Sequence, residues 1–415
     1  MSAQYDSLNA MTRIAESYVR LVLAVGLHDT DYVDAYYGPE RWRVEVLSQK
    51  LSLDKILLAA TRVLSDLDRI DMRAAKEMEL LRHRYLSGQL HSLMSRVKLL
   101  QGTHMSFDEE SQALYDAVAP SHSEDHFSTI LRELDSLVPG SGPIPQRYHA
   151  FKDAFIIPLD KLDIVFRKAI EESRTRTAEF IPLPDGESFT VEYVTNKSWS
   201  GYNWYKGNSH SVIQMNTDLP IYIDRAIDLA SHEGYPGHHV YNSLLEHHLV
   251  RGHRWMEFSV YALFSPQSLI AEGAANYGID VAFPKPERIA FEQAVLFPLA
   301  GMDPGAAQLY DDIHEIVLTL GYAGNEAARR YLDGAMSREE AIQWLVSYAL
   351  MSPERAEQRT RFFDQYRSYV INYNLGQDLV KTYVEARGGT GDNPAKRWEV
   401  FHHLLSSPIL PSGLR

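Results

Sequence analysis

Apolar residues recur at helical spacing through most of this chain. From Leu8 to Val25, and again from Leu53 to Leu67, they fall three and four positions apart, which predicts two amphipathic helices. Ala74 to Leu100 predicts one long helix, with Leu80, Leu81, Leu90, Leu93, Val97 and Leu100 as its buried stripe. Phe151 to Ile170 continues the pattern, with a kink or restart expected at Pro158, whose nitrogen cannot donate a hydrogen bond. The strongest breaker is Val138-Pro139-Gly140-Ser141-Gly142-Pro143-Ile144-Pro145. It reads as a loop between helices. The other reading is a boundary, within a single 1–415 domain, between a helical subdomain 1–140 and a second subdomain 141–415.

The period then changes. Phe189-Thr190-Val191-Glu192-Tyr193-Val194 alternates apolar and polar residues, and Ser211 to Asn216 does so more loosely, predicting two or more short strands. Helical spacing returns afterwards. Ser337-Arg338-Glu339-Glu340 forms a capping box ahead of a helix over Ala341 to Leu350, with Glu340 reaching back to the N-cap. Pro353 should open a further helix, and Arg361 to Ala386 reads as one or two helices rich in tyrosine. Pro408, Pro411 and Gly413 predict a tail that frays from Ser407 onward. The expected fold is mainly α, with a small sheet ahead of residue 230.

Composition narrows the function classes. A hydrophobic share of 45% and a charged share of 23% suit a soluble globular protein. No apolar run approaches the ~20 residues that cross a bilayer. The formal charge of −14 argues against nucleic acid or an anionic membrane as partner. With no cysteine there are neither disulfides nor thiolate ligands, so a bound metal must rest on histidine and carboxylate. The first residues, Met1 to Asp6, lack the basic and apolar blocks of a secretory signal, which sets a cytoplasmic location as the expectation.

The candidate chemistry lies in His232-Glu233-Gly234-Tyr235-Pro236-Gly237-His238-His239. In a helical H-E-x-x-H motif the two histidines share a face and bind zinc, while the glutamate activates water. Here Pro-Gly stands before the last histidines. At ~100° per residue, an unbroken helix would turn His238 away from His232 and carry His239 about 10 Å along the axis. Pro236 breaks that helix by clashing with the carbonyl of His232, and Gly237 permits a left-handed or otherwise unusual turn. The helix should therefore end or bulge near Tyr235 and fold a histidine back. Removing Pro-Gly restores the ordinary spacing for His238, which makes His238 the expected ligand and His239 the reserve. A third ligand is expected at Glu272, a lone carboxylate in the small and apolar run Ser268 to Tyr277, where it is costly unless paired or metal-bound.

This extended motif resembles the domain of unknown function 885 family, bacterial proteins related to zincin-type metallopeptidases. Tyr32-Val33-Asp34-Ala35-Tyr36-Tyr37-Gly38-Pro39, Asn216-Thr217-Asp218-Leu219-Pro220 and Tyr373-Asn374-Leu375-Gly376-Gln377 support the likeness. Longer members often carry Glu-Gly-Trp-Ala-Leu-Tyr where this chain has Glu272-Gly273-Ala274-Ala275-Asn276-Tyr277. The resemblance implies a zincin-like helical peptidase with Zn²⁺ on His232, His238 and Glu272, and with Glu233 as general base. It also implies an edge strand that pairs with an extended peptide, for which Val212 to Asn216 is the candidate. For the oxyanion donor the candidate is Tyr373, with His210 second. Arg361 and Arg367 are candidates for holding a substrate carboxylate. His247, His248, His253, His402 and His403 read as surface or capping residues. The expected partner is a short peptide, bound in a cleft between the N-terminal helices and the metal-bearing half. The alternatives are an amidase or esterase acting on another metabolite, and a non-catalytic binding protein.

Overall fold

The computed structural model describes residues 2–415, with side chains described from residue 9 onward. Helices dominate, as the periodicity predicts. In chain order those that build the two cores and the site are α1 (Ser2–Val25), α2 (Leu53–Asp68), α3 (Glu77–Leu100), α4 (Leu162–Phe180), α5 (Asp224–Leu229), α6 (His238–Leu244), α7 (Pro266–Ala282), α8 (Pro353–Tyr366) and α9 (Ile371–Ala386). Local signals set several boundaries. Ser52 caps α2, and Ser352 caps α8 ahead of Pro353 at its first turn. The Ser337–Glu340 capping box forms as expected and starts the helix Arg338–Tyr348.

Among the described residues five short strands accompany the helices: β1 (Val33–Tyr36), β2 (Ser188–Val194), β3 (Gly201–Gly207), β4 (His210–Asn216) and β5 (Val260–Ala262). β1 and β5 pair antiparallel, while β2, β4 and β3 form one sheet in that order. β4 is parallel to β2 and antiparallel to β3. The expectation that Val212 to Asn216 offers an open edge therefore fails, because both sides of β4 are already hydrogen-bonded. The edges are β2 and β3, and β3 is the strand that the alternation rule missed. Its inward positions carry Asn203, Tyr205 and Gly207 in place of an apolar series.

Two hydrophobic cores fill the molecule. One gathers α1, α2 and α3 with Trp344, Phe362 and Ile371 from the C-terminal half. The other packs α4, the three-stranded sheet, α5, α6 and α9 around Tyr277 and Phe401. Both draw on residues from each side of position 140, and the breaker at 138–143 is a short loop pinned by Arg147 to the carbonyls of Val138 and Gly140. The helical run around Pro158 is broken more widely than a kink, since one helix ends at Asp153 and α4 begins at Leu162. The C-terminal tail does not fray. Ile409, Pro411 and Leu414 are buried, so the prolines shape a docked turn.

α7 lies between the cores, with Leu269 facing one and Ile270, Ala271 and Ala274 facing the other. Nearly all of its residues are buried, which makes it an interior helix. It crosses α9 at glycine on glycine: a Cβ on Gly273 would stand 2.3 Å from the Gly376 carbonyl carbon. Only two residues without side chains allow that approach. Among the described residues no helix is long and apolar enough to cross a membrane.

Candidate metal centre

The motif segment breaks as its sequence demands. After α5 the chain widens into a π-type turn over Ala230–Gly234, becomes extended at Tyr235, and restarts as α6 at His238. The Tyr235 amide bonds back to Ala230 O and the Gly237 amide to Ser231 O, with Pro236 between them contributing no donor. Gly237 is needed here for space. Its φ is −74°, outside the left-handed region, but a Cβ would lie 1.9 Å from His232 O.

This turn brings His238 beside His232 with their Nε2 atoms 3.1 Å apart. Glu272 arrives from α7, its Oε2 at 3.2 Å from His232 Nε2 and 3.6 Å from His238 Nε2. Three donor atoms thus form a triangle with edges close to the ~3.3 Å expected between ligands on a tetrahedral zinc with bonds of ~2.0–2.1 Å. Glu272 Oε2 is buried and outside hydrogen-bonding geometry with either ring. A shared cation satisfies an oxygen in that position. The charges agree. Burial opposes ionisation, yet Glu272 is held well below the usual carboxylate range by His238 and His232. His238 is drawn up to about 9 against its own burial, by Glu272, Glu233 and Asp34. Each group thus favours the charged form of the other.

Neighbouring groups aim these ligands. The Asn276 side-chain oxygen accepts from His232 Nδ1 at 2.8 Å, which leaves Nε2 with its lone pair toward the triangle. The Asn276 amide then donates to Tyr373 O. Tyr369 Oη donates to Glu272 Oε1 at 2.7 Å. Sequence reasoning missed both residues; Asn276 was traceable as the position one helical turn after Glu272.

Glu233 is buried, and a carboxylate oxygen of it lies within 4.8 Å of the His232 and His238 ligand atoms. Its Oε2 has no hydrogen-bond partner. The carboxylate rests against Gly201 of β3, where a Cβ would come within 2.9 Å of Oε1. Asn203 Nδ2 holds the Glu233 carbonyl at 2.7 Å. Glu233 thus lies beside the triangle, near enough to His232 and His238 for the three to form a group able to hold an ion.

These groups open into a cavity of about 530 Å³, lined among others by Asp34, Tyr202, Glu233, Glu272, Arg359 and Tyr373. Its walls are β3 and the helices from α5 to α9. The N-terminal helices that were expected to form one wall do not reach it; Asp34 of β1, Lys152 and the segment Ser198 to Ser200 are the residues before β3 that line it. Asp34 accepts a hydrogen bond from Tyr202, and burial pushes its carboxyl up to about 6.

Other expected residues fall elsewhere. His239 is buried away from the triangle, with Nε2 at 3.0 Å from Glu187 and Nδ1 at 2.9 Å from Ser211 Oγ. Burial would raise the Glu187 carboxyl, but hydrogen bonds from His239, Tyr235 and Arg174 hold it at about 2. His210 contacts Ser188 and does not line the cavity. Arg361 pairs with Glu357 on the surface, and Arg367 pairs with buried Glu110, so neither is available to a substrate. Asp224, Asp228 and His314 form a second cluster on the same cavity, but Tyr310 and Arg225 already engage its carboxylates.

No protein-family model matches the chain, and no curated protein matches it. Solved structures do. The "putative lipoprotein" from Colwellia psychrerythraea overlays 90% of this chain at a TM-score of 0.52 with 15% identity. The match takes in 65% of that protein, so the chain spans less than two thirds of its length. This is a likeness of fold, and with the element content it establishes a mainly α architecture with a small sheet. Looser overlays are found with an M32 carboxypeptidase from Deinococcus radiodurans R1 (TM-score 0.44, 11% identity) and with metallocarboxypeptidase 1 from Trypanosoma cruzi (TM-score 0.45, 12% identity). Each covers 97% of this chain and 91% of the other.

Proposed function

We propose that this chain is a zinc-dependent peptidase of the zincin type, acting on short peptides and related to the domain of unknown function 885 family. The observation that carries the reading is the His232–His238–Glu272 triangle, with edges of 3.1, 3.2 and 3.6 Å and an unsatisfied buried oxygen at its Glu272 corner. His232, His238 and Glu272 would hold the metal, which when bound polarises a substrate carbonyl and acidifies water. Two His and one Glu suit zinc, as no thiolate or all-oxygen shell is on offer.

Glu233 then serves as general base. It takes a proton from the attacking water and passes it to the amine as the C–N bond breaks. Its partnerless Oε2 is the free acceptor that this role requires. Tyr373 lines the same cavity, and burial together with the Glu272 charge keeps its hydroxyl protonated, as a donor to a developing oxyanion must be. β3 flanks the centre with Gly201, Tyr202 and Asn203, and it is the strand beside which an extended substrate would lie.

The test compares metal content and peptide hydrolysis in wild type and Glu233→Gln. About one zinc per chain in both, with hydrolysis only in wild type, supports the peptidase. Zinc in both with hydrolysis of small amides or esters but no peptides favours the amidase or esterase reading. Absence of bound zinc from wild type, or equal hydrolysis by the variant, overturns the assignment of these roles.

A further inference from the structure

The cavity is lined by four arginines: Arg225, Arg288, Arg355 and Arg359. Two of them have protein carboxylates as partners, since Arg225 meets Asp228 at 2.9 Å and Arg288 meets Asp311 at 2.6 Å. Arg355 and Arg359 have no carboxylate within ion-pair distance among the described residues. Arg355 NH1 bonds only the neutral Gln358 side chain, at 3.0 Å. Arg359 Nε is buried with no hydrogen-bond partner. Its guanidinium sits over the rings of Phe362 at 4.7 Å and Tyr373 at 5.8 Å, contacts that orient a cation without neutralising it.

Such an arrangement is costly in an unliganded protein. The two side chains are one turn apart on α8, where like charges repel. Arg225 adds a third positive charge, and burial with these neighbours draws Arg355 down to about 10. A guanidinium has five N–H donors in a planar fork suited to a carboxylate, and most of these are unused here. The pair is also well placed for substrate. Tyr373, over which Arg359 lies, packs on Tyr369 at 5.9 Å between ring centroids, and Tyr369 bonds Glu272. One aromatic pair separates the free charges from the triangle.

We propose that Arg355 and Arg359 form a subsite for a carboxylate of the substrate, so that the cavity selects peptides bearing a free C-terminus or an acidic side chain near the bond cleaved. The bond-cleaving half of this statement rests on the peptidase reading above; the binding half does not. Hydrolysis itself stays balanced, with one water added across the C–N bond to give an acid and an amine.

The test measures binding by calorimetry to zinc-loaded Glu233→Gln protein, which needs no turnover. The probes are N-acetyl-tetra-alanine with a free C-terminus, its C-terminal amide, and amides carrying one Glu in place of Ala. The free acid should bind at least ten-fold more tightly than the plain amide, and Arg359→Met should abolish that difference by weakening the acid. Arg355→Met should reduce it. Tight binding of a Glu-containing amide would locate the carboxylate on a side chain; its absence would locate it at the C-terminus. Acid and amides binding alike, no binding by any probe, or an equal loss for all probes in Arg359→Met overturns the subsite. Acid-selective binding with no cleavage by wild type would keep the subsite and sink the peptidase reading instead.

Discussion

Tyr369 and Glu272 are joined across 97 positions of chain by a hydrogen bond of 2.7 Å. The phenol holds Oε1, which turns Oε2 toward His232 and His238. Tyr369→Phe keeps the ring and deletes the donor. Zinc affinity should fall by about 10–100-fold, the range for groups that orient a ligand, with far-UV circular dichroism unchanged. Competition against a chelator would measure it. Unaltered affinity would reduce Tyr369 to a packing residue.

The two adjacent histidines should separate cleanly. His238→Ala removes a corner of the triangle, and the purified protein should hold little zinc. His239→Ala instead removes one partner of Glu187 and one of Ser211. Zinc should stay near one per chain while stability drops by roughly 1–3 kcal/mol, the cost of leaving buried polar groups unpaired. Metal analysis and chemical denaturation on the same samples distinguish the pair; the reverse pattern would move the ligand to His239.

Gly237→Ala should be among the most damaging single-methyl changes in the molecule. The added carbon would lie 1.9 Å from His232 O, which is backbone and cannot swing aside. Relief requires reopening the turn that sets His232 against His238. Zinc binding should be lost even where a folded chain can be recovered. A variant that binds zinc normally would show that the turn has other solutions.

Glu292 makes a pH prediction. It is 3% exposed, its Oε2 has no partner, and burial, reinforced by Asp311, Asp224 and Asp228, pushes its carboxyl from the ordinary 4.5 to about 8. The folded state keeps a proton that the unfolded chain gives up. Its contribution to stability is therefore complete below about 4.5, declines as pH rises, and is gone above about 8. Glu292→Gln never ionises, so its stability relative to wild type should grow between these limits by up to about 1.4 kcal/mol per pH unit. Denaturation midpoints of both proteins from pH 5 to 9 provide the check. A constant difference would show that Glu292 is already charged.

Much of the candidate site was legible because its signals are local. Pro236 and Gly237 announce the break, spacing selects His238, and Glu272 stands out as a charge among small residues. The two strands with alternating patterns and the Ser337 capping box were legible for the same reason. What escaped depends on partners far away in sequence. Asn276 and Tyr369 look like any buried polar residues until His232 and Glu272 are beside them. Arg361 and Arg367 stand out in the sequence no less than Arg355 and Arg359 on the same stretch, and only the fold shows that Glu357 and Glu110 take the first two. β3 was hidden by Asn203 at an inward position, where it holds the Glu233 carbonyl. In the tail, proline and glycine imitate disorder, while Ile409 and Leu414 supply the anchoring.

The contact of Gly273 with Gly376 bears on how such a site can evolve. Glu272 is the immediate neighbour of one glycine, and Tyr373 stands one helical turn before the other. A larger residue at either position would shift Glu272 and the cavity wall together, so the two cannot diversify one at a time. Descendants of this chain should keep both positions small or exchange them as a pair. New substrate preferences would then arise first on β3 and α8, which line the cavity but lie outside the crossing.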